Sequence, residues 1–384
     1  MIGPHMQNTA PDWLTAVAAL PANTPVKCVN DYFMARDAKR ANPNIKTIFR
    51  HVADGEQHPS DNYDENLEKA RHFFSTFIDG TWFEQEIYKY VDYIEEWNEY
   101  LANSMPVEEV SRWLSWNKAV QTVWAEMKAT DSRLAGIRLV CCNTAVGNSI
   151  PWQFAQQTMT FGNVLGYHGY THFEDGLRDP LDWQYHSGRW ETMDADYRAR
   201  GIYVDWLSTE SGPYASVFAG WKDTRTVGGD MNRYLDECIA YQLDRITAWN
   251  ATHNNRFKGA VLFTTSNDDQ WERYNLNGSQ LLTIAQFVAT HAPGPIDPPP
   301  PPPVDDWQQA AWDENVRKQI SNGIMLNTAA ALQQKIFRDG FIPVQNEFSF
   351  DGKTYQAAET LDGSMPRRLY WWTAANGVDY FHEP

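Results

Sequence analysis

Along residues 26–264, short runs rich in β-branched and aromatic residues alternate with stretches of amphipathic helical spacing. Strands separated by helices pair in parallel rather than as hairpins, and a parallel sheet buries both of its faces. The strand-like runs fall at 26–30, 46–50, 93–98, 137–142, 163–168, 202–207 and 260–264. That is one short of a closed eightfold barrel, and the gap between residues 50 and 93, with 73–83 as its poor candidate, is where the missing strand is expected.

A run of six prolines at 298–303, following Pro-Gly-Pro-Ile-Asp at 293–297, breaks this alternation. Such a run is extended, at ~3.1 Å per residue, and spaces domains semi-rigidly. The expected fold class is therefore α/β: a (β/α)8 TIM barrel over 10–292, a polyproline linker over 293–304 and a small α+β module over 305–384. Residues 1–9 read as a disordered N-terminus, with 1–6 a cloning remnant. In the small module a helical stretch over 307–338, interrupted near Asn322-Gly323, precedes strand-like runs at 341–350, 353–357 and 367–372, with Asp351-Gly352 as a hairpin signal. Its paired Trp371 and Trp372 suit a carbohydrate-binding face, which would keep the barrel on its polymer.

The 32 basic and 49 acidic residues give a formal charge of −17, which repels phosphate backbones and anionic lipid and argues against nucleic acid or membrane as partner. No apolar run approaches the ~20 residues that span a bilayer, and 14–20 lacks the flanks of a signal peptide. An extracellular protein, or one released from a virus-infected cell, fits better than a membrane protein, and the acidic surface is compatible with a monomer. With 17 Trp and 18 Tyr the chain is rich in flat faces that stack on sugar rings or fill a core, and about two thirds are expected in the core. Cys28, Cys141, Cys142 and Cys238 lack the spacing of a disulfide framework or a zinc site and read as buried free thiols. No cofactor or metal is implied.

Two short segments close strand-like runs with a carboxylate: Trp97-Asn98-Glu99 and Ser208-Thr209-Glu210-Ser211-Gly212. In a parallel barrel the C-terminal strand ends form the mouth where chemistry resides. A pair of carboxylates there suits glycoside hydrolysis, in which one attacks the anomeric carbon and the other protonates the leaving oxygen ~5 Å away. The alternative for Glu99, beside Glu95 and Glu96, is a solvated acidic helix. Asn98 could bond the hydroxyl next to the anomeric centre, or form a strand-end turn. The segment Tyr167-His168-Gly169-Tyr170-Thr171-His172 is dense in hydrogen-bond donors, with His168 and Tyr170 as substrate-site candidates; a metal held by His168 and His172 competes. Residues 173–200, carrying Trp183, Tyr185, His186 and Trp190, are too long for an ordinary connection and are expected to wall a cleft.

On these motifs the chain resembles the clan A retaining glycoside hydrolases over roughly residues 20–290: counting back from 260–264 as strand eight puts Glu210 on strand seven and Glu99 on strand four. Tyr100 stands where that family usually has proline. The resemblance implies Glu210 as nucleophile and Glu99 as general acid, then base. It further implies Arg50, at the end of the second strand-like run, as a partner of the nucleophile, and Trp271 as a sugar platform. Polysaccharide is the implied substrate. Two other classes stay open: a lytic enzyme that cuts peptidoglycan glycan strands, and a non-catalytic carbohydrate-binding or viral structural protein.

Overall fold

The computed structural model describes residues 1–52, 59–96, 99, 105–172, 183, 186–214, 220–266, 269–291, 324–326, 342–350, 353–362, 365–374 and 377–382. Eight parallel strands close into a barrel: β1 Ile2–Met6, β2 Pro25–Val29, β3 Lys46–Arg50, β4 Tyr93–Glu95, β5 Arg138–Cys141, β6 Val164–His172, β7 Asp205–Tyr214 and β8 Phe257–Thr265. This is the expected (β/α)8 TIM barrel. Around it run α1 Trp13–Ala19, α2 Tyr32–Ala41, α3 Tyr63–Ser75, α4 Gly80–Glu84, α5 Val107–Thr130, α6 Trp152–Thr160, α7 Arg189–Ala199, α8 Tyr241–Thr252 and α9 Gly278–Thr290.

The missing strand is not between residues 50 and 93. Residues 63–75 and 80–84 there are helices, with Asn62 and Asp79 accepting backbone N–H bonds as N-caps. The eighth strand is β1, which corrects the expectation of a terminal remnant: all five of its residues are buried, and it closes the ring by pairing with β2 and β8. Gly-Pro within Ile-Gly-Pro-His-Met hid the strand, since proline argues against a central strand. A consequence is that Arg50 ends the third strand, not the second.

Period-two alternation sorts the side chains. Phe49 meets Phe77 and Trp82 outside the strand ring, so Ile48 and Arg50 point inward. Ile48, Tyr93, Val140, Val164, Leu207 and Val261 form one buried cluster across six strands. Much of the aromatic surplus lies between strands and helices: Tyr197 stacks on Trp206, and Trp190 packs on Phe257 and Trp249. Trp183 and Trp190 are therefore core, not the cleft wall expected of 173–200; residues 173–182, 184 and 185 lie outside the described residues. The four cysteines are buried free thiols. No helix among the described residues is long and apolar enough to cross a membrane.

Residues from 324 onward form a separate antiparallel sheet: β9 Ile324–Leu326, β10 Ile342–Phe350, β11 Lys353–Asp362, β12 Met365–Ala374 and β13 Gly377–His382, in the order β10-β11-β12-β13-β9. The strands flanking Asp351-Gly352 pair with Phe350 opposite Lys353, as a tight hairpin requires. Ile324–Leu326 is an edge strand, which corrects the helical expectation at that point; the rest of 307–338, and the linker, lie outside the described residues.

Candidate active site

The inward positions at the C-terminal half of the barrel carry charge instead of hydrocarbon. Glu210, on β7 at a register shift opposite His168, is 7% exposed and faces polar groups from β6 beside it and from β1, β2 and β3 across the barrel. Tyr170 donates its hydroxyl to Oε2 at 2.8 Å, and His168 Nδ1 stands 3.5 Å from the same oxygen. Lys27 Nζ from β2 lies 3.4 Å from Oε1, Arg50 Nη1 from β3 lies 3.7 Å from it, and His5 Nε2 from β1 lies 4.0 Å from it.

These charges set the ionisation of the site. Burial, the largest single influence on Glu210, opposes ionisation, but His168, Lys27, His5 and Arg50 together outweigh it and hold the carboxyl far below the ordinary range. Burial also opposes charge on His168, yet Glu210 and the hydrogen bond to Glu99 overcome it and raise the imidazole above its usual 6.5. His5 goes the other way: burial first, then Lys27, lowers it well below 6.5. Burial beside Glu210 pushes the Tyr170 phenol well up, which keeps it a donor.

Glu99 meets the same His168 nitrogen that faces Glu210. Its Oε1 lies 2.7 Å from His168 Nδ1, and its side chain is 39% exposed against 9% for Glu210. One nitrogen thus serves both carboxylates, at 2.7 and 3.5 Å, so the facing oxygens stand no farther apart than those two legs laid end to end. That limit admits the ~5–5.5 Å carboxyl separation that retaining hydrolysis requires. Glu95 ends β4 and is buried, as is Glu96, which accepts from the Cys142 backbone at 3.1 Å, so neither belongs to the solvated acidic helix considered for them with Glu99.

Of the residues singled out from sequence, Arg50, Glu99, His168, Tyr170 and Glu210 converge here. Asn98 lies outside the described residues, as does the side chain of His172. Trp271, partly exposed, joins the site through an aromatic chain: its ring meets Phe263 edge-on at 4.9 Å, and Phe263 meets Tyr170 at 6.2 Å. Among the described residues no group of three or more His, Cys, Asp or Glu has the arrangement of a metal site. His5, Lys27, Glu95 and Asn143 were missed. Lys27, alone between Val26 and Cys28 in an apolar run, was the legible signal, because a lysine on a buried strand must have a partner.

Glu99→Gln should lower the His168 pKa, followed by NMR of the imidazole C–H signals; no change would mean that the 2.7 Å contact does not persist in solution. The linkage to stability has a defined sign. Glu210, depressed from 4.5, contributes stability that is full above 4.5 and lost as pH falls through its folded pKa. His168, raised from 6.5, contributes stability that is full below 6.5 and lost as pH rises through its folded pKa, so both are complete only between those two values.

No protein-family model and no curated protein matches this chain. Among solved structures it is similar to an endo-β1,6-glucanase, at 12% identity and TM-score 0.44, over 100% of this chain and 87% of that one. It is also similar to a triply substituted endo-β-1,4-glucanase from Xanthomonas axonopodis pv. citri, at 9% identity and TM-score 0.41, over 74% and 91% of the two chains. A broad-specificity endoglucanase from Ruminococcus champanellensis matches at 11% identity and TM-score 0.39, over 68% and 81%.

Proposed function

We propose that the protein is a retaining glycoside hydrolase that cleaves β-glycosidic bonds in a polysaccharide by double displacement, with Glu210 as nucleophile and Glu99 as acid and then base. One observation carries this: His168 Nδ1 ties an ionised, buried carboxylate to a second, solvent-facing carboxylate at the mouth of a closed barrel. The two environments suit two roles. Glu210 is ringed by cations and donors, which favours the anion that attacks carbon. Glu99 reaches solvent, where a leaving group departs and water enters, and His168, whose charged form Glu210 and Glu99 favour, stands one hydrogen bond away.

In the first step Glu210 forms a bond to the anomeric carbon while the glycosidic C–O bond breaks, and the departing oxygen takes a proton from Glu99. In the second, water gives a proton to Glu99 and its oxygen to the anomeric carbon, and the ester bond breaks with its electron pair returning to Glu210. Arg50 faces one oxygen of the free carboxylate and Tyr170 donates to the other. Trp271, at the outer end of the aromatic chain, is the proposed sugar platform, and residues 305–384 the proposed accessory module beyond a polyproline spacer.

The test is reducing-end release from β-glucans, mannan, xylan, chitin and peptidoglycan by the wild type, Glu99→Gln and Glu210→Gln. Activity on one polymer that both substitutions abolish, with the barrel still folded, supports the proposal. Release that survives Glu210→Gln refutes it, and peptidoglycan as the sole substrate would assign the chain to wall lysis.

A further inference from the structure

The two displacement steps above assign no role to Glu95, the partner of Lys27 in the most deeply buried ion pair among the described residues. Lys27 and Glu95 are both 0% exposed; Lys27 Nζ lies 2.8 and 3.0 Å from the two Glu95 oxygens, 3.3 Å from the Thr209 carbonyl and 3.4 Å from Glu210 Oε1. Asn143 donates to Glu95 Oε1 at 2.8 Å and accepts from Thr209 Oγ1 at 3.0 Å, so a ring of polar contacts runs through β2, β4, the end of β5 and β7 back to Glu210. Gly166 leaves the space for it, since a β-carbon there would fall 1.7 Å from Asn143 Oδ1.

The two oxygens of Glu210 face different surroundings. Oε1 looks toward Lys27, Arg50 and His5; Oε2 looks toward Tyr170 and His168, and His168 is the group shared with Glu99. The side that carries the acid is therefore the side of Oε2. Resting on the glycosidase reading of this site, we propose that Lys27, its charge balanced by Glu95, is a positioning residue that holds Glu210 through Oε1 and leaves Oε2 as the attacking oxygen.

The balance by Glu95 matters because Glu210 changes charge during the reaction. When the bond from Oε2 to the anomeric carbon forms, the carboxylate becomes a neutral ester, and a buried ammonium with no other counter-ion would be left an unpaired charge away from water. Glu95 prevents that in both states. In the ester, Lys27 donates to Oε1, now the carbonyl oxygen, and draws electron density from the bond that breaks in the second step.

The test reads Lys27's hold on Glu210 without any substrate. Protein labelled with [δ-13C]glutamate is titrated by NMR, the Glu210 signal being identified by its loss in Glu210→Gln. The groups facing that carboxyl are His5 on β1, Lys27 on β2, Arg50 on β3, His168 and Tyr170 on β6, and Glu95 and Glu99 at and after β4. In Lys27→Met/Glu95→Leu, which removes both charges together, the Glu210 midpoint should rise by about one pH unit or more, a tenfold gain in proton affinity. Lys27→Gln/Glu95→Gln, which keeps polar contacts in the ring, decides the matter if the apolar pair does not fold. A Glu210 signal that stays ionised to the same pH as in the wild type, in either folded variant, overturns the proposal. Loss of the glycosidase reading shows separately, as a wild type that releases no sugar.

Discussion

Glu210→Gly should lower turnover of an activated aryl β-glycoside roughly 10⁴-fold or more, as expected when a covalent nucleophile is lost, and azide should restore turnover as the inverted glycosyl azide. The geometry gives the reason. Removing a carboxylate that is 9% exposed leaves an anion-sized space lined by Lys27, Arg50, His168 and Tyr170, and a small anion entering it attacks from the face Glu210 used. Glu99→Gly should behave differently. With a leaving group that needs no proton the first step survives, and the glycosyl-enzyme waits for a base, with a loss of ~10²–10⁴ on substrates that do need protonation. Azide then enters from the solvent side that the 39% exposed Glu99 faces and gives the retained product. Product anomer, read by NMR, is the decisive measurement: the same anomer from both variants, or the two reversed, would sink the assignment of roles.

The barrel was legible from the sequence because its signal is repeated: seven of its eight strands announce themselves by β-branched and aromatic runs separated by helical spacing. The eighth was hidden for a physical reason. Ile2–Met6 carries Gly3 and Pro4 and gains its identity from closing the ring between β2 and β8, a tertiary fact. Glu99 and Glu210 were legible because each ends a strand-like run in a recognisable motif. Glu95 and His5 were not, and Lys27 signalled only that it needs a partner, because nothing local says that three polar side chains on β1, β2 and β4 face one point; only the closed barrel puts them there. The tryptophans show the converse. Trp183 and Trp190 sit in a segment whose length suggested a cleft, yet they fill the seam behind β7 and β8, because a large flat ring gains more from full burial than from a wet rim.

Asp194→Leu should destabilise the barrel by about 3–5 kcal/mol while leaving the surviving enzyme's kcat/KM near that of the wild type. Asp194, on α7, is fully buried and takes both fork nitrogens of Arg256 at 2.7 and 2.8 Å, Arg198 Nε at 2.8 Å and the Trp206 indole N–H at 3.1 Å. Arg256 also donates to the Val204 carbonyl at 2.9 Å, so one carboxylate fastens a helix to the entry of β7 and of β8. That is the opposite end of β7 from Glu210, where a barrel keeps stability rather than chemistry. The loss is large because the guanidinium, whose side chain is only 12% exposed, keeps its charge and loses its partner. Asp194→Asn should cost less, since it keeps an acceptor for the indole, and Asp194→Leu/Arg256→Met should recover much of the loss by removing the stranded cation with its partner. Urea unfolding at constant m-value measures all three. A cost below ~1 kcal/mol for the first variant would mean that aromatic packing of Trp190, Trp206 and Phe257 alone secures the seam, whereas recovery in the double variant would locate the penalty in the orphaned charge and not in the missing bonds.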